Sequence, residues 1–187
     1  ERGHHVTLYE KEGVLGGQYR IGAYPPGKAD LVKPIQYFYT MGKEAGVVYE
    51  LNTEVTAEMI GDLKPDAVIL ATGGIPAVPK IEGIDNPKFA KANDVLLGKA
   101  RAGKKVLIAG GGLTGVETAD YLGEYGCDIT IVEMASEAAS DVNPTIKITL
   151  MERLKNYGVN ILTNTKIKQF VEDGIICEQN GETKTIA

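Results

Sequence analysis

The run Val106-Leu107-Ile108-Ala109-Gly110-Gly111-Gly112-Leu113-Thr114-Gly115 leaves the second half of this chain little freedom in how it folds. Val106, Leu107 and Ile108 have the length of a buried strand, Gly110-x-Gly112-x-x-Gly115 follows at once, and Val116, Ala119, Leu122 and Tyr125 then recur at helical spacing. Gly126 ends that predicted helix, residues 129–132 read as a second buried strand, and Glu133 stands at its end, 23 residues after Gly110. A glycine triplet by itself is weak evidence. Set between a strand and a helix, with an acid about 20 residues on, it is the fingerprint of a dinucleotide-binding unit. Gly110 then serves the tight turn, Gly112 the close approach of a pyrophosphate, and Gly115 the packing of helix on strand. The phosphates meet the free amides and positive end of the helix. Glu133 accepts hydrogen bonds from the adenosine ribose. A 2′-phosphate in that place would set like charges together, at roughly 4 kcal/mol for charges ~4 Å apart with an effective dielectric near 20. Because about 1.4 kcal/mol is tenfold in affinity, NADH is expected to be preferred over NADPH as long as Glu133 faces the site.

Downstream, Asn143 and Pro144 read as the N-cap and first residue of another helix, with Ile146, Leu150 and Leu154 as its buried stripe and Gly158 as its stop. A strand at 159–163 follows, then stretches 166–172, 174–179 and 183–186, divided by the hairpin turns Asp173-Gly174 and Asn180-Gly181 into a β-meander. The first seventy residues give a strand at 5–10, a Gly- and Pro-rich loop from Gly13 to Gly27, and a helix from about Asp30 to Ala45 with Leu31, Ile35, Phe38 and Tyr39 on one face. Pro34 fits that helix because it falls near the start. Buried strands are predicted at 47–51 and 66–72 with a short helix at 57–63 between them, and residues 75–103 read as a connector with one short helix near 93–99. The fold class predicted is α/β: Rossmann-like, three-layer nucleotide-binding domains with a parallel sheet and a β-meander. A boundary near Gly74 to Pro79 divides the chain into domains 1–78 and 79–187.

Composition narrows the function classes. The net charge of −5, with Lys and Arg scattered, argues against nucleic acid as a partner. No apolar run approaches the ~20 residues of a membrane span, and no signal-peptide pattern precedes the first strand, so the expected location is cytoplasmic. Cys127 and Cys177, fifty positions apart, form neither a disulfide framework nor a zinc pattern and are expected to be small buried hydrophobes. His4 and His5 have no Cys or carboxylate cluster of ligand spacing nearby, so no metal site is predicted.

The chain also repeats itself. Residues 1–10, ERGHHVTLYE, align with 124–133, EYGCDITIVE, at a constant offset of 123: Glu1 with Glu124, Gly3 with Gly126, Val6 with Ile129, Thr7 with Thr130, Leu8 with Ile131 and Glu10 with Glu133. Both stretches read as the end of a helix, a turn glycine, a strand and its terminal acid. If the second copy measures the first, the glycine loop belonging to Glu10 begins 23 residues before it, upstream of residue 1. The sequence is therefore expected to be an excerpt of a longer protein, with an incomplete first domain.

Two dinucleotide-binding units in tandem, joined through Ala71-Thr72-Gly73, resemble the flavin-dependent pyridine nucleotide oxidoreductases. LYEKEGVLGGQ, YPPGKADL, LNTEVT and GGGLTGVETADYL together are most similar to the C-terminal region of the NADH:flavin oxidoreductase group, which includes 2,4-dienoyl-CoA reductase, enoate reductase and trimethylamine dehydrogenase. The resemblance covers nearly the whole chain. It implies an FAD-binding domain at 1–78, an NAD(H)-binding domain at 79–187, and hydride transfer from NADH to FAD. In such relatives an upstream barrel domain with FMN and an iron–sulfur (4Fe-4S) cluster completes the path to an activated double bond, and neither group is expected within these residues. By the same resemblance Glu10 binds the FAD ribose with Lys11 beside it, Gly16, Gly17 and Gln18 line the flavin-side loop, the backbone around Val55 meets the adenine, and Thr72 and Gly73 approach the flavin pyrophosphate. Gly110, Gly112, Leu113, Thr114 and Gly115 cradle the NADH phosphates. Glu117 lies near the nicotinamide half or is simply a solvent-facing helix acid, and Glu10 also reads as an exposed strand-end acid. The expected partners are small dinucleotides and the upstream barrel, with homo-oligomerisation left open. No residue is assigned a catalytic role. The absence of CxxC and CxxxxC argues against the disulfide-reductase branch. Two other readings stand: a module that holds ADP without catalysis, and a simple FAD reductase of the ferredoxin or thioredoxin reductase type.

Overall fold

A computed structural model describes residues 2–186, so the match of Glu1 with Glu124 lies outside the described residues. The chain forms two compact units, residues 2–23 with 27–75 and residues 24–26 with 76–186.

In the second unit, alternation along the strands sorts side chains to two faces of one parallel sheet. Strands β3 (Lys105–Ala109), β4 (Asp128–Val132) and β5 (Asn160–Leu162) lie in that order, with Ile108 beside Ile131 and Ile131 beside Ile161. Val106, Ile108, Ile129, Ile131 and Ile161 meet Val116, Ala119 and Leu122 of helix α5 (Leu113–Glu124) and Leu150 and Leu154 of helix α6 (Pro144–Asn156). The intervening residues Leu107, Val132 and Leu162 face the other way, onto Phe170, Ile175 and Cys177 of the antiparallel meander β6 (Thr165–Val171), β7 (Gly174–Gln179) and β8 (Glu182–Ile186). Helices, parallel sheet and meander are the three layers, and period-two patterning is the reason one sheet can bury both faces. Ile131 is wholly buried in the helix-side layer. Trimming it to valine is expected to cost ~0.5–1.5 kcal/mol, measured as a lower urea midpoint with an unchanged slope.

Helices α5 and α6 are also joined by charge. Arg153 donates from Nε to Asp120 Oδ1 at 2.9 Å and from Nη2 to Oδ2 at 2.7 Å, and the Asp120 side chain is 1% exposed. The hydrogen bond to Asp120 raises the guanidinium above its ordinary range. Helix α6 starts as the sequence implies, with Asn143 Oδ1 accepting from the Thr145 amide at 3.0 Å and Pro144 in the first turn. Its stripe is shorter than expected: Leu150 and Leu154 are buried, whereas Ile146, a full turn earlier, is 50% exposed. Cys177 is buried, and desolvation pushes its thiol up, but Cys127 is only half-buried.

In the first unit, β1 (Thr7–Glu10) and β2 (Val48–Leu51) pair in parallel, Thr7 beside Val48 and Glu10 beside Leu51. The loop expected from Gly13 to Gly27 contains a short helix, α1 (Gly17–Ile21), and the next helix runs as a 3₁₀ turn at Ala29–Leu31 followed by α2 (Val32–Glu44). Helix α3 (Ala57–Leu63) is capped by Thr56, which accepts from the Met59 amide at 3.2 Å. The connector carries α4 (Ala92–Leu96). The strand predicted at 66–72 does not form: no described strand pairs with it, and Ile69 and Leu70 are 90% and 79% exposed. The strand at 47–51 is not deeply buried either, Val48 being half exposed. An apolar run becomes a strand only where a neighbour supplies the ladder, and β1 offers its described pairing to β2 alone.

The internal repeat reappears as geometry and reaches further than the ten aligned residues. In the first unit, the Asn52 amide donates to the Glu12 carbonyl at 3.1 Å and the Thr53 amide to the Glu10 carbonyl at 2.9 Å, with Asn52 left-handed at φ 55°. In the second, the Asn164 amide donates to Ala135 at 2.8 Å and the Thr165 amide to Glu133 at 2.9 Å, with Asn164 at φ 51°. Each threonine hydroxyl donates two residues back, Thr53 to Leu51 at 3.1 Å and Thr165 to Thr163 at 2.8 Å. Leu51-Asn52-Thr53 and Thr163-Asn164-Thr165 are thus the same turn, leaving the strand beside the same acid.

Candidate functional site

The turn from β3 into α5 is built by its outer glycines. Gly110 sits at φ +105°, where an L side chain is strained. A Cβ on Gly115 would lie 2.0 Å from the Gly110 carbonyl oxygen and 3.5 Å from Ile108, so only glycine lets the first turn of α5 rest on the end of β3. Leu113 and Thr114 are exposed at the opening of the helix, next to the half-buried Gly112. Three adjacent residues with small or outward-facing side chains thus stand at the helix N-terminus, where an anion is favoured by the amides and the dipole.

Glu133 closes the far side of this turn. Its Oε2 accepts from the Gly111 amide at 2.7 Å and its Oε1 from the Ala135 amide at 2.7 Å. An ionised carboxylate has about four lone-pair positions, so two remain for hydroxyl donors. Glu10 repeats the second of these bonds in the first unit, its Oε1 accepting from the Glu12 amide two residues on at 2.9 Å. Nearby, Lys11 is exposed, Gly16 and Gly17 are both left-handed, and the Gln18 side-chain amide donates to the Gly74 carbonyl. Val55, Thr72 and Gly73 are exposed, the last two on a segment without regular structure in which Gly73 is left-handed. Glu117 is buried, 8% exposed, so its reading as a solvent-facing helix acid does not hold. The structure therefore gathers Gly110, Gly112, Leu113, Thr114, Gly115 and Glu133 around one turn, with Glu117 farther along α5. Glu10, Lys11, Gly17 and Gln18 belong to the other unit.

Sequence reasoning passed over the segment between β4 and α6. Ala139, non-glycine yet left-handed at φ 56°, donates its amide to the Gly111 carbonyl at 2.7 Å, and Asp141 accepts the Leu113 amide on Oδ1 at 2.9 Å and Oδ2 at 3.1 Å. Ala138, Ala139 and Val142 are buried beneath it. Only the Asp141 acid carried a signal in sequence, and it was weak, an unassigned carboxylate just before a helix cap. Among the described residues no group of three or more His, Cys, Asp or Glu is arranged to hold a metal, and no helix is long and apolar enough to cross a membrane.

Residues 25–187 match the model of the pyridine nucleotide-disulphide oxidoreductase family. Bilirubin reductase of Mediterraneibacter gnavus is 38% identical over 98% of the chain, and NADH oxidase of Thermoanaerobacter brockii is 39% identical over 94%. The structure of a 2-naphthoyl-CoA reductase superposes with a TM-score of 0.92 at 34% identity over 99% of the chain. In all three cases the chain spans 28% of the relative's length. The chain belongs to the pyridine nucleotide-disulphide oxidoreductase family and has its FAD/NAD(P)-binding, Rossmann-like fold.

Proposed function

We propose that residues 79–187 bind NADH on the Gly110–Gly115 turn and present it for hydride transfer to FAD, which residues 1–78 hold jointly with parts of the protein outside this chain. The observation that carries this reading is the convergence of one turn: glycines that bring α5 onto β3, a helix N-terminus whose first two residues are exposed, and a strand-end carboxylate fixed by the Gly111 amide. The donor set fits a dinucleotide. Leu113 and Thr114 amides would hold the pyrophosphate, and Glu133 would accept the ribose hydroxyls on its spare lone pairs. Because two amides fix Glu133 toward the turn, a 2′-phosphate would meet its charge, which supports NADH over NADPH.

For FAD the fit is partial. Glu10 repeats one of the two Glu133 bonds, to the amide two residues on, which supports a second ribose site, but no glycine loop faces it among the described residues. Bound flavin supplies the two-electron acceptor for the nicotinamide hydride. This chain contributes an acid and the Gln18–Gly74 hydrogen bond on that side. The chain spans 28% of bilirubin reductase and of the 2-naphthoyl-CoA reductase chain, which supports a larger reductase as its setting. An FMN-bearing barrel and a 4Fe-4S cluster upstream, where they would supply one-electron transfer towards an activated double bond, and a cytoplasmic location belong to the same proposal.

Calorimetric titration with NADH, ADP and NADPH tests the nucleotide reading. NADH and ADP are expected to bind and NADPH to bind at least about tenfold more weakly, ~1.4 kcal/mol. Glu133→Gln removes the charge while keeping an acceptor for Gly111, and is expected to bring NADPH to within about threefold of NADH. Failure of NADH and ADP to bind the wild-type chain would overturn the reading. Tight ADP binding without nicotinamide-dependent flavin reduction by the full-length protein would leave a non-catalytic nucleotide module, the second reading, which the intact turn also supports.

A further inference from the structure

The first amide of α5, the seat of the proposed pyrophosphate, is already taken by an anion of the chain's own. Asp141 reaches it from the segment between β4 and α6, with both carboxylate oxygens sharing the Leu113 N–H at 2.9 and 3.1 Å. The same carboxylate lies over Gly112: a Cβ there would be 3.2 Å from Oδ2 and 3.5 Å from Oδ1. It thus fills the space that the fingerprint reserves for close approach of phosphate to backbone.

The two acids of the turn are held differently. Glu133 bridges two amides, of Gly111 and Ala135, at 2.7 Å each, and is half-buried. Asp141 is exposed and shares a single N–H between two oxygens, a weaker arrangement than two separate bonds. The backbone that carries Asp141 is anchored independently, by the Ala139 amide on the Gly111 carbonyl at 2.7 Å and by the burial of Ala139 and Val142. Asp141 can therefore turn away from Leu113 while its segment stays in place.

We propose that Asp141 is an internal competitor for the phosphate seat: its carboxylate accepts the Leu113 amide and must yield it to a pyrophosphate, so that this residue sets the affinity of the turn for phosphorylated nucleotides. The proposal rests on the nucleotide reading above. It assigns affinity tuning to a residue that makes no contribution to the fingerprint. Competition of this kind also favours ligands with two phosphates over one, since a diphosphate offers more acceptor oxygens to replace the pair it displaces.

The test uses the 187-residue chain as wild type, Asp141→Asn and Asp141→Ala, titrated with ADP, inorganic pyrophosphate and adenosine. Asparagine keeps an oxygen for the Leu113 amide and removes only the charge, so it leaves the cap and the fold in place, with melting temperature as the check. An anion at a helix N-terminus is worth about two- to fivefold at an exposed site and more in a partly buried one. Loss of this rival is therefore expected to tighten ADP and pyrophosphate binding about three- to tenfold in Asp141→Asn, with adenosine, which has no phosphate, unchanged. Equal or weaker ADP binding in both variants, with the wild type still binding ADP, would overturn the competitor role and leave the nucleotide reading standing. A tightening that extends equally to adenosine would also overturn it, since the effect would not be at the phosphates. No binding of ADP or pyrophosphate by any of the three would overturn both.

Discussion

Gly115→Ala is expected to weaken NADH and ADP binding by at least tenfold and to lower the stability of the second unit by about 1–3 kcal/mol, the usual cost of overpacking a filled site. The added methyl would stand 2.0 Å from the Gly110 carbonyl oxygen, more than 1 Å inside ordinary contact, and the obstacle is backbone rather than a flexible side chain. Helix α5 must then lift from β3, carrying the Leu113 and Thr114 amides with it. Ile108 lies 3.5 Å from the same position and cannot make room without disturbing the helix-side core. Calorimetry with ADP and a urea curve measure the two effects on one sample. A variant that binds ADP as tightly as wild type would contradict the turn's role as the phosphate seat.

Arg153→Ala is expected to be the most destabilising single change outside the core, by about 3 kcal/mol, the low end of the range for breaking a buried ion pair. The magnitude follows from what is left behind. Asp120 is 1% exposed and accepts both prongs of the guanidinium, so without Arg153 a buried carboxylate in the α5–α6 interface loses its ion pair and these hydrogen bonds together. Arg153 itself is 35% exposed, which holds the effect to the lower end. The paired replacement Asp120→Asn with Arg153→Ala is expected to recover part of the loss, because an uncharged side chain in place of the buried carboxylate removes the charge penalty while the Arg153 stem is missing from both variants. Chemical denaturation of the single and double variants measures it, and equal losses in both would show that packing of the Arg153 stem, not the orphaned charge, sets the cost.

How much of this was legible in the sequence depended on range. Strand, turn and helix from Lys105 to Glu124 are encoded within twenty residues, by a periodicity change and by glycines with identifiable steric roles, and the structure follows that reading nearly residue for residue. The meander was equally local, since Asn180-Gly181 takes positive φ at both positions, as its hairpin turn requires. What failed was whatever needed a distant partner. Residues 66–72 have the composition of a buried strand, but pairing is not a property of composition, and no described strand receives them. Asp141 reaches Leu113 across 28 positions and Arg153 reaches Asp120 across 33, and neither pair leaves a spacing that sequence reasoning can recognise. The repeat was legible through its terminal acids, whereas its second half was hidden because the Asn-Thr turn is only two residues long and the intervening segments differ in length.

The unpaired stretch at 66–72 has a practical side. Ala67-Val68-Ile69-Leu70-Ala71-Thr72 has no charge, proline or glycine, and its aliphatic side chains stand largely in water. Six residues of that kind outside any described helix or strand are a template for cross-strand stacking between molecules. Self-association of the chain at high concentration is expected to start at this segment, and binding measurements call for dilute samples or a charged substitution at the exposed Ile69.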